Sequence, residues 1–527
     1  MKKRLLRRAA GLFYLSVSIC ALHAVAQEQS GEWHLTGGDA GQSGWQKGEQ
    51  DLKPDNIAGH FKLLWKIRLG QPSKGERTFS EPLLAGRLIN GQGFKDMVYW
   101  GSSNTLFAVD SELGNLLWKK QYEAQAAPAK PGCGVTSLSI LMEPPVTINF
   151  RARRTRPAGT PRPAPEAPTP SNERRLGVAP GGGYFGMKGI YALTSDGMLH
   201  EQVITTGDDF APPVKFLPAA NGSPYGLNFV DKTIYTATGH ACGEVPNGLW
   251  AIDLTSPTYQ VATYTAENVR PLSLTGPLLT PDGNAIVVTA TGASNPDAGI
   301  YAGSVVSIAK TMKVEDWYTP QGAMAAYESV SPITFAYKDK QYVVAPGKDG
   351  SIALLDAASL GGADHRTPLA ETAPLTKAGE KHGWDGFASW QDKDGTAWVF
   401  ASVSAGISLG EGNVKQNGVA PHGGIVALKV DDSGGRIALE PVWVSNDMVN
   451  PAPPRIANGV VIALAGGNAS NPAILRVLNA ATGEELYSTR NEVPTYADHS
   501  GVAVGDGHAF FTDHNNVLYS FGIGLEH

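Results

Sequence analysis

Leu106–Lys120 reads LFAVDSELGNLLWKK. An apolar run with a β-branched residue meets Asp110. A turn built around Gly114-Asn115 follows, and a second apolar run ends on Trp118. Alternating and β-branched residues mark strands, and Gly, Asn and Asp mark the turn between them. The same phrase returns as IYALTSDGMLHEQ from Ile190, LWAIDLTSPTYQVATY from Leu249 and VVSIAKTMKVEDWY from Val305. It continues as IALLDAASL from Ile352, IVALKVDDSGGRIALEPVWV from Ile425, LRVLNAATGEELYST from Leu475 and LYSFGIG from Leu518, eight copies in all.

Upstream of most copies lies a second pair of apolar runs. Examples are GPLLTPDGNAIVVTATG (276–292), SPITFAYKDKQYVVAPG (331–347) and PPRIANGVVIALAGG (453–467). Two strands upstream and two in the phrase make four per repeat, the signature of propeller blades. The spacing therefore predicts an all-β chain, an eight-bladed β-propeller of four-stranded antiparallel blades. The last copy reaches the C-terminus without an outer strand. LLWKIRL (63–69) resembles the outer strand NLLWKKQ (115–121) but has no blade of its own. It is expected to complete the last blade, since closure removes the exposed sheet edge.

The ends and one insertion lie outside this pattern. Lys2, Lys3, Arg4, Arg7 and Arg8 precede the apolar run 11–22, and Ala24-Val25-Ala26 supplies a small-x-small site. Residues 1–26 read as a signal peptide of the general secretory type, with a periplasmic or secreted product. Residues 27–62 form an N-terminal extension and 63–527 the propeller. Within it, 151–183 is rich in Pro, Arg and Gly and is expected to be a solvated, disordered loop. After the leader no apolar stretch is long enough to span a membrane. The net charge of −6 gives a nucleic-acid partner no electrostatic basis. A closed ring without free edges predicts a monomer.

Beyond the leader only Cys133 and Cys242 remain. In an oxidising compartment two such thiols either pair or stay as free buried cysteines. His240 beside Cys242 and His382 further on are metal-ligand types, and the competing reading is a structural disulfide plus a surface histidine. Gly406-Ile407-Ser408-Leu409-Gly410 fits the G-x-S-x-G pattern, but no helix follows, so a blade turn is expected. The acidic pairs near Asp392–Asp394 and at Asp431-Asp432 read as solvated turns.

The Trp-ended phrases, their number and the opening HLTGGDAGQSGWQKGEQDLKPDNIAGHFKLLWKIRL (34–69) together resemble the quinoprotein propellers, whose repeats surround pyrroloquinoline quinone (PQQ) in alcohol dehydrogenases. The resemblance covers nearly the whole mature chain. That group also holds non-catalytic members, including the propeller lipoprotein of the outer-membrane barrel-assembly machinery. A dehydrogenase of the group would bind PQQ with Ca²⁺ or a lanthanide, the metal polarising the quinone and a carboxylate taking the substrate proton. By resemblance Asn295 in TATGASNP (289–296) stands where a metal ligand is expected. His382-Gly383-Trp384-Asp385 is similar to the phrase that carries the base. There Gly383 occupies the base position and leaves Asp385 as the carboxylate. Trp384, Lys381 and His382 would then contact the cofactor. The vicinal cysteine pair of such enzymes is absent. Two functions follow as expectations: a non-catalytic binding or scaffold protein of the cell envelope, partnered by an envelope protein or extracellular polymer, or a divergent PQQ-dependent alcohol or sugar dehydrogenase.

Overall fold

The computed structural model describes residues 31–71, 79–90, 93–123, 133, 136–143, 189–266, 270–273, 275–322, 324–410, 414–497 and 501–524. The leader 1–26 and the insertion 151–183 lie outside the described residues.

The chain is an all-β propeller. Seven blades are built from strands consecutive in the chain: blade 1 over 83–121, blade 2 over 139–215, blade 3 over 224–265, blade 4 over 271–318, blade 5 over 333–371, blade 6 over 381–444 and blade 7 over 455–488. This corrects the expectation of an eight-bladed propeller. The remaining sheet is a composite: Ala503–Gly505, His508–Thr512 and Val517–Ile523 come from the C-terminal end, and Phe61–Arg68 comes from the N-terminal end. LYSFGIG lies in this composite sheet, whose outer strand comes from the opposite end of the chain. Nor are all blades four-stranded and antiparallel. Trp45–Gln46 joins blade 7 in parallel, Ala326–Ser331 joins blade 6 in parallel, and Lys415–Gln416 pairs in parallel with Ala438–Val444. Such additions come from loops, where the repeat pattern carries no signal.

Inner strands such as Val460–Ala465 are buried at every residue because each blade is covered on both faces by its neighbours. Outer strands such as Leu116–Gln121 alternate exposed and half-buried positions. The repeat tryptophans join successive sheets. The indole N–H of Trp65 donates to Ser111 O at 2.7 Å, that of Trp118 to Ile204 O at 3.1 Å, and that of Trp443 to Ala480 O at 3.0 Å. Each ring lies against a turn glycine of the next blade: Gly114, Gly207 or Gly483. A Cβ there would meet ring carbons at 2.5–2.6 Å, and φ is +68°, +76° and +70°. Only glycine satisfies both demands without strain.

Residues 31–49 close one end of the ring by touching every sheet in turn. Trp33 bridges Leu84 of blade 1, and His34 O accepts from Met142 N–H of blade 2 at 2.9 Å. Ala40 O accepts from the Asn228 side chain of blade 3 and from Leu279 N–H of blade 4, both at 2.9 Å. Gly41 O accepts from Thr334 N–H of blade 5, Ser43 O from Ser389 N–H of blade 6 and Gly44 O from Ile456 N–H of blade 7, at 2.8–2.9 Å. Gln46 Nε2 donates to Val504 O of the composite sheet at 3.1 Å. The segment therefore works as an internal washer under the axis.

Candidate functional site

At the other end of the ring the first residues of the blade 6 inner strand, Lys381–Gln391, pair with Ala326–Ser331. The register sets Tyr327 beside His382 and Val330 beside Asp385. His382 and Asp385 are both buried, 3% and 4% exposed. His382 Nδ1 lies 2.5 Å from Asp385 Oδ2, and Asp385 Oδ1 accepts from Ser404 N–H at 2.8 Å. The far ring nitrogen, His382 Nε2, is 3.4 Å from Thr376 Oγ1. The Tyr327 ring tilts over the imidazole at 4.7 Å between centroids. Burial, and then the Asp385 charge, push the Tyr327 phenol above its ordinary pKa. Both carboxylate oxygens of Asp385 thus have protein partners, and the imidazole is enclosed.

Around this dyad runs a charged rim. Lys381 Nζ pairs with Glu328 Oε1 at 2.7 Å, and Arg270 Nη1 approaches both Glu328 O at 3.3 Å and His240 Nε2 at 3.4 Å. Cys133 and Cys242 are joined by a disulfide, with Cα atoms 5.6 Å apart, tying the loop before blade 2 to blade 3. Asn295 is exposed in a turn after a blade 4 strand. Its backbone exchanges hydrogen bonds with Ile300, and no described contact links it to Asp385. Trp384 pairs through its backbone with Ser329, and its side chain lies outside the described residues. The residues named in the sequence divide accordingly: His382 and Asp385 meet, Lys381 belongs to the rim, and Asn295 lies on another blade.

Sequence reasoning missed two groups. On the axis, Glu81 and Arg455 form an ion pair at 2.6 Å, with side chains 1% and 2% exposed. Trp33 Nε1 and Gly37 N–H donate to Glu81 Oε1 at 2.8 and 2.9 Å. The cavity beside them, reached by residues of blades 1, 2, 3, 4 and 7, has a volume of about 50 Å³. On the washer side, ligand-type oxygens of Asp96, Glu112 and Asp506 all lie within 4.8 Å of one another. Burial, a hydrogen bond to Asp96 and the charges of Asp96 and Glu112 push the Asp506 carboxyl up to about 7. Neither group has a local signal, because its members come from distant segments.

No protein-family model matches the chain, and no curated protein matches it. Solved structures do. A europium-containing methanol dehydrogenase superposes with a TM-score of 0.57 at 12% identity, covering 94% of this chain and 99% of that one. The quinohemoprotein alcohol dehydrogenase ADHIIG from Pseudomonas putida HK5 gives 0.56 at 14% identity, covering 95% and 82%. The quinohemoprotein alcohol dehydrogenase from Comamonas testosteroni gives 0.51 at 12%, covering 96% and 84%. The chain has a PQQ-like β-propeller fold. At such identities the likeness is one of fold, and activity has to be argued from the site.

Among the described residues, the cavity beside Glu81 and Arg455 does not fit PQQ. Small-molecule sites span roughly 300–1,000 Å³, and the axial cavity is about 50 Å³. The charged groups beside it, Glu81 and Arg455, neutralise each other. Asp385 is buried and bonded to His382 and Ser404. Among the described residues no helix is long and apolar enough to cross a membrane.

Proposed function

We propose that this protein is a non-catalytic binding propeller of the cell envelope, exported by its leader and acting as a monomer. It uses a quinoprotein-like ring as a rigid frame for an envelope protein or an extracellular polymer. The observation that carries this reading is the axis: the cavity of about 50 Å³ beside the Glu81–Arg455 pair is too small for a tricyclic quinone. The His382–Asp385 dyad supports it, since both side chains are closed off from solvent, 3% and 4% exposed. The leader sequence and the cysteine pair support an oxidising compartment. The competing reading, a divergent PQQ dehydrogenase with Ca²⁺ or a lanthanide, draws on the fold of the three superposed enzymes. It would require Asn295, Trp384 and Asp385 to converge on the quinone.

The test is calorimetric titration of the mature protein with PQQ in the presence of Ca²⁺ or a lanthanide, followed by dye-linked oxidation of alcohols and sugars. The expected result is no saturable heat and no turnover. Saturable binding with turnover that disappears in Asp385→Ala would overturn the reading.

A further inference from the structure

The blade 6 inner strand reaches across the ring. Its first residues hold the His382–Asp385 dyad, and five residues beyond Asp385 it carries Trp390, roughly 17 Å further along at about 3.3 Å per residue. There a second cavity of 440 Å³ opens between the washer segment and blades 3 to 6. Its volume is in the range of ordinary ligand sites, roughly 300–1,000 Å³. Trp45 of the washer and Trp390 line it, with Phe335, Gln341, Gln391 and Lys47. Trp45 and Trp390 are both half-buried.

The hydrogen-bond inventory sets these two tryptophans apart. The indole N–H groups of Trp33, Trp65, Trp100, Trp118, Trp250, Trp398 and Trp443 each donate to a protein acceptor. Those of Trp45 and Trp390 have no partner among the described residues. Among the described tryptophan side chains outside this cavity, that holds only for Trp317, whose ring is stacked on His365 at 3.7 Å. Two glutamines at the rim show the complementary pattern. Gln341 Nε2 donates to Thr334 Oγ1 at 2.6 Å and Gln391 Nε2 to Gly395 O at 3.1 Å. Each amide is thereby held by its nitrogen, and its carbonyl oxygen has no partner among the described residues. The lining residues carry one carboxylate and one ammonium, which sum to zero: Asp39, engaged by Ser43 N–H at 3.0 Å and Ser43 Oγ at 2.6 Å, and Lys47, whose Nζ lies 5.3 Å from the centre of the Trp45 ring.

We propose that this groove binds a neutral oligosaccharide of pyranose units. A pyranose presents an apolar C–H face to an aromatic ring and hydroxyls around its edge. The groove offers two half-buried indole rings, with their N–H donors, and amide acceptors, and its lining carries no net charge to select an ion. Aromatic side chains suit surfaces that are apolar on one side and wet on the other. This deepens the binding-propeller reading and rests on it, with polymeric carbohydrate as the partner.

The test uses the full mature chain with cellohexaose, maltohexaose, xylohexaose and chitohexaose, and polygalacturonate hexamer as the anionic probe. Binding is followed by calorimetry and by intrinsic tryptophan fluorescence. The expected result is saturable binding of at least one neutral hexamer, about tenfold weaker in Trp390→Ala and weakened in Gln391→Ala, with Trp390→Phe retaining most affinity. Far-ultraviolet circular dichroism and melting temperature show which variants remain folded, and Gln391→Ala is a mild exposed change if Trp390→Ala does not. Failure of every neutral hexamer to bind, a preference for the anionic one, or affinity unchanged in both Trp390→Ala and Gln391→Ala would overturn the proposal. The PQQ titration separates the two readings. PQQ turnover overturns the non-catalytic reading and leaves a sugar isotherm standing, whereas absence of sugar binding with no PQQ turnover removes only the groove.

Discussion

Arg455→Met isolates the buried ion pair on the axis. The native guanidinium donates to Glu81 Oε2 at 2.6 Å and, through Nε, to Val502 O at 3.0 Å, and its carbon lies 5.6 Å from the centre of the Trp33 ring. Glu81 in turn receives Trp33 and Gly37 of the washer. One contact set thus ties blade 1, blade 7, the loop before the composite sheet and the N-terminal segment. Methionine keeps part of the packing and removes the charge, so Glu81 is left buried and ionised or is forced to take up a proton. Removing one partner of a buried pair costs roughly 3–5 kcal/mol. The entropy of unfolding is about 2.1 cal/mol/K per residue, so a cooperative unit of about 500 residues shifts by about 1 °C per kcal/mol. The expected loss is therefore about 3–5 °C in a thermal melt at pH 7. Removing both charges in Glu81→Gln with Arg455→Met leaves no unpaired ion, and the double variant is expected to melt above Arg455→Met alone. The cycle is read by differential scanning calorimetry, which also reports whether the ring melts as one unit. A melt within 1 °C of the parent for Arg455→Met, or a double variant equal to the sum of the singles, would refute the coupling.

Gly483→Ala should lower stability by about 2–4 kcal/mol, since a Cβ would meet the Trp443 ring at 2.5 Å and φ is +70°; denaturation midpoints check it. Reducing the Cys133–Cys242 bridge, which closes a 109-residue separation, should cost about 2–4 kcal/mol; melts with and without reductant measure it, and a Cys133→Ser, Cys242→Ser variant should no longer respond. Asp506 has a folded pKa raised to about 7 from an ordinary 3.8. Its contribution is therefore fully present below pH 4 and is lost as pH rises through 7. Asp506→Asn, with a residue type that tolerates the left-handed backbone at φ 55°, should melt above the parent at pH 8 and not at pH 4. The gap is about 1–2 kcal/mol after allowance for solvent screening.

The repeat was legible because each blade carries its own strand and turn signals, and several add a tryptophan in the outer strand. The outer strand at Phe61–Arg68 was legible for the same reason, since its Leu-Leu-Trp core copies the blade 1 outer strand. Blade number and strand count were misread where the pattern ends. The composite sheet borrows a strand from the opposite terminus, and the parallel strand Ala326–Ser331 has no repeat counterpart. At the site, His382 and Asp385 were visible as neighbours in one phrase. Their saturation was not, because Ser404, Thr376 and Tyr327 reach them from three other segments. Glu81 and Arg455 are 374 residues apart, and neither sits in a motif.

The same geometry separates the shape of the ring from whatever occupies its axis. Stability here comes from sheet-to-sheet contacts that do not touch the axis: fully buried inner strands, and tryptophans seated on glycines of the next blade. The axis is then open to replacement by whatever satisfies its buried polar groups. In this chain it holds Glu81 and Arg455, bonded to each other and to Trp33, with room left for little more than water. The washer segment makes that closure and at the same time builds the opposite face, where Trp45 and Trp390 flank a cavity of 440 Å³. A site displaced from the axis to the washer face is therefore a consequence of the N-terminal segment. Loosening that segment should weaken both features together, so Trp33→Ala is expected to lower the melting temperature and the affinity of the groove in the same variant.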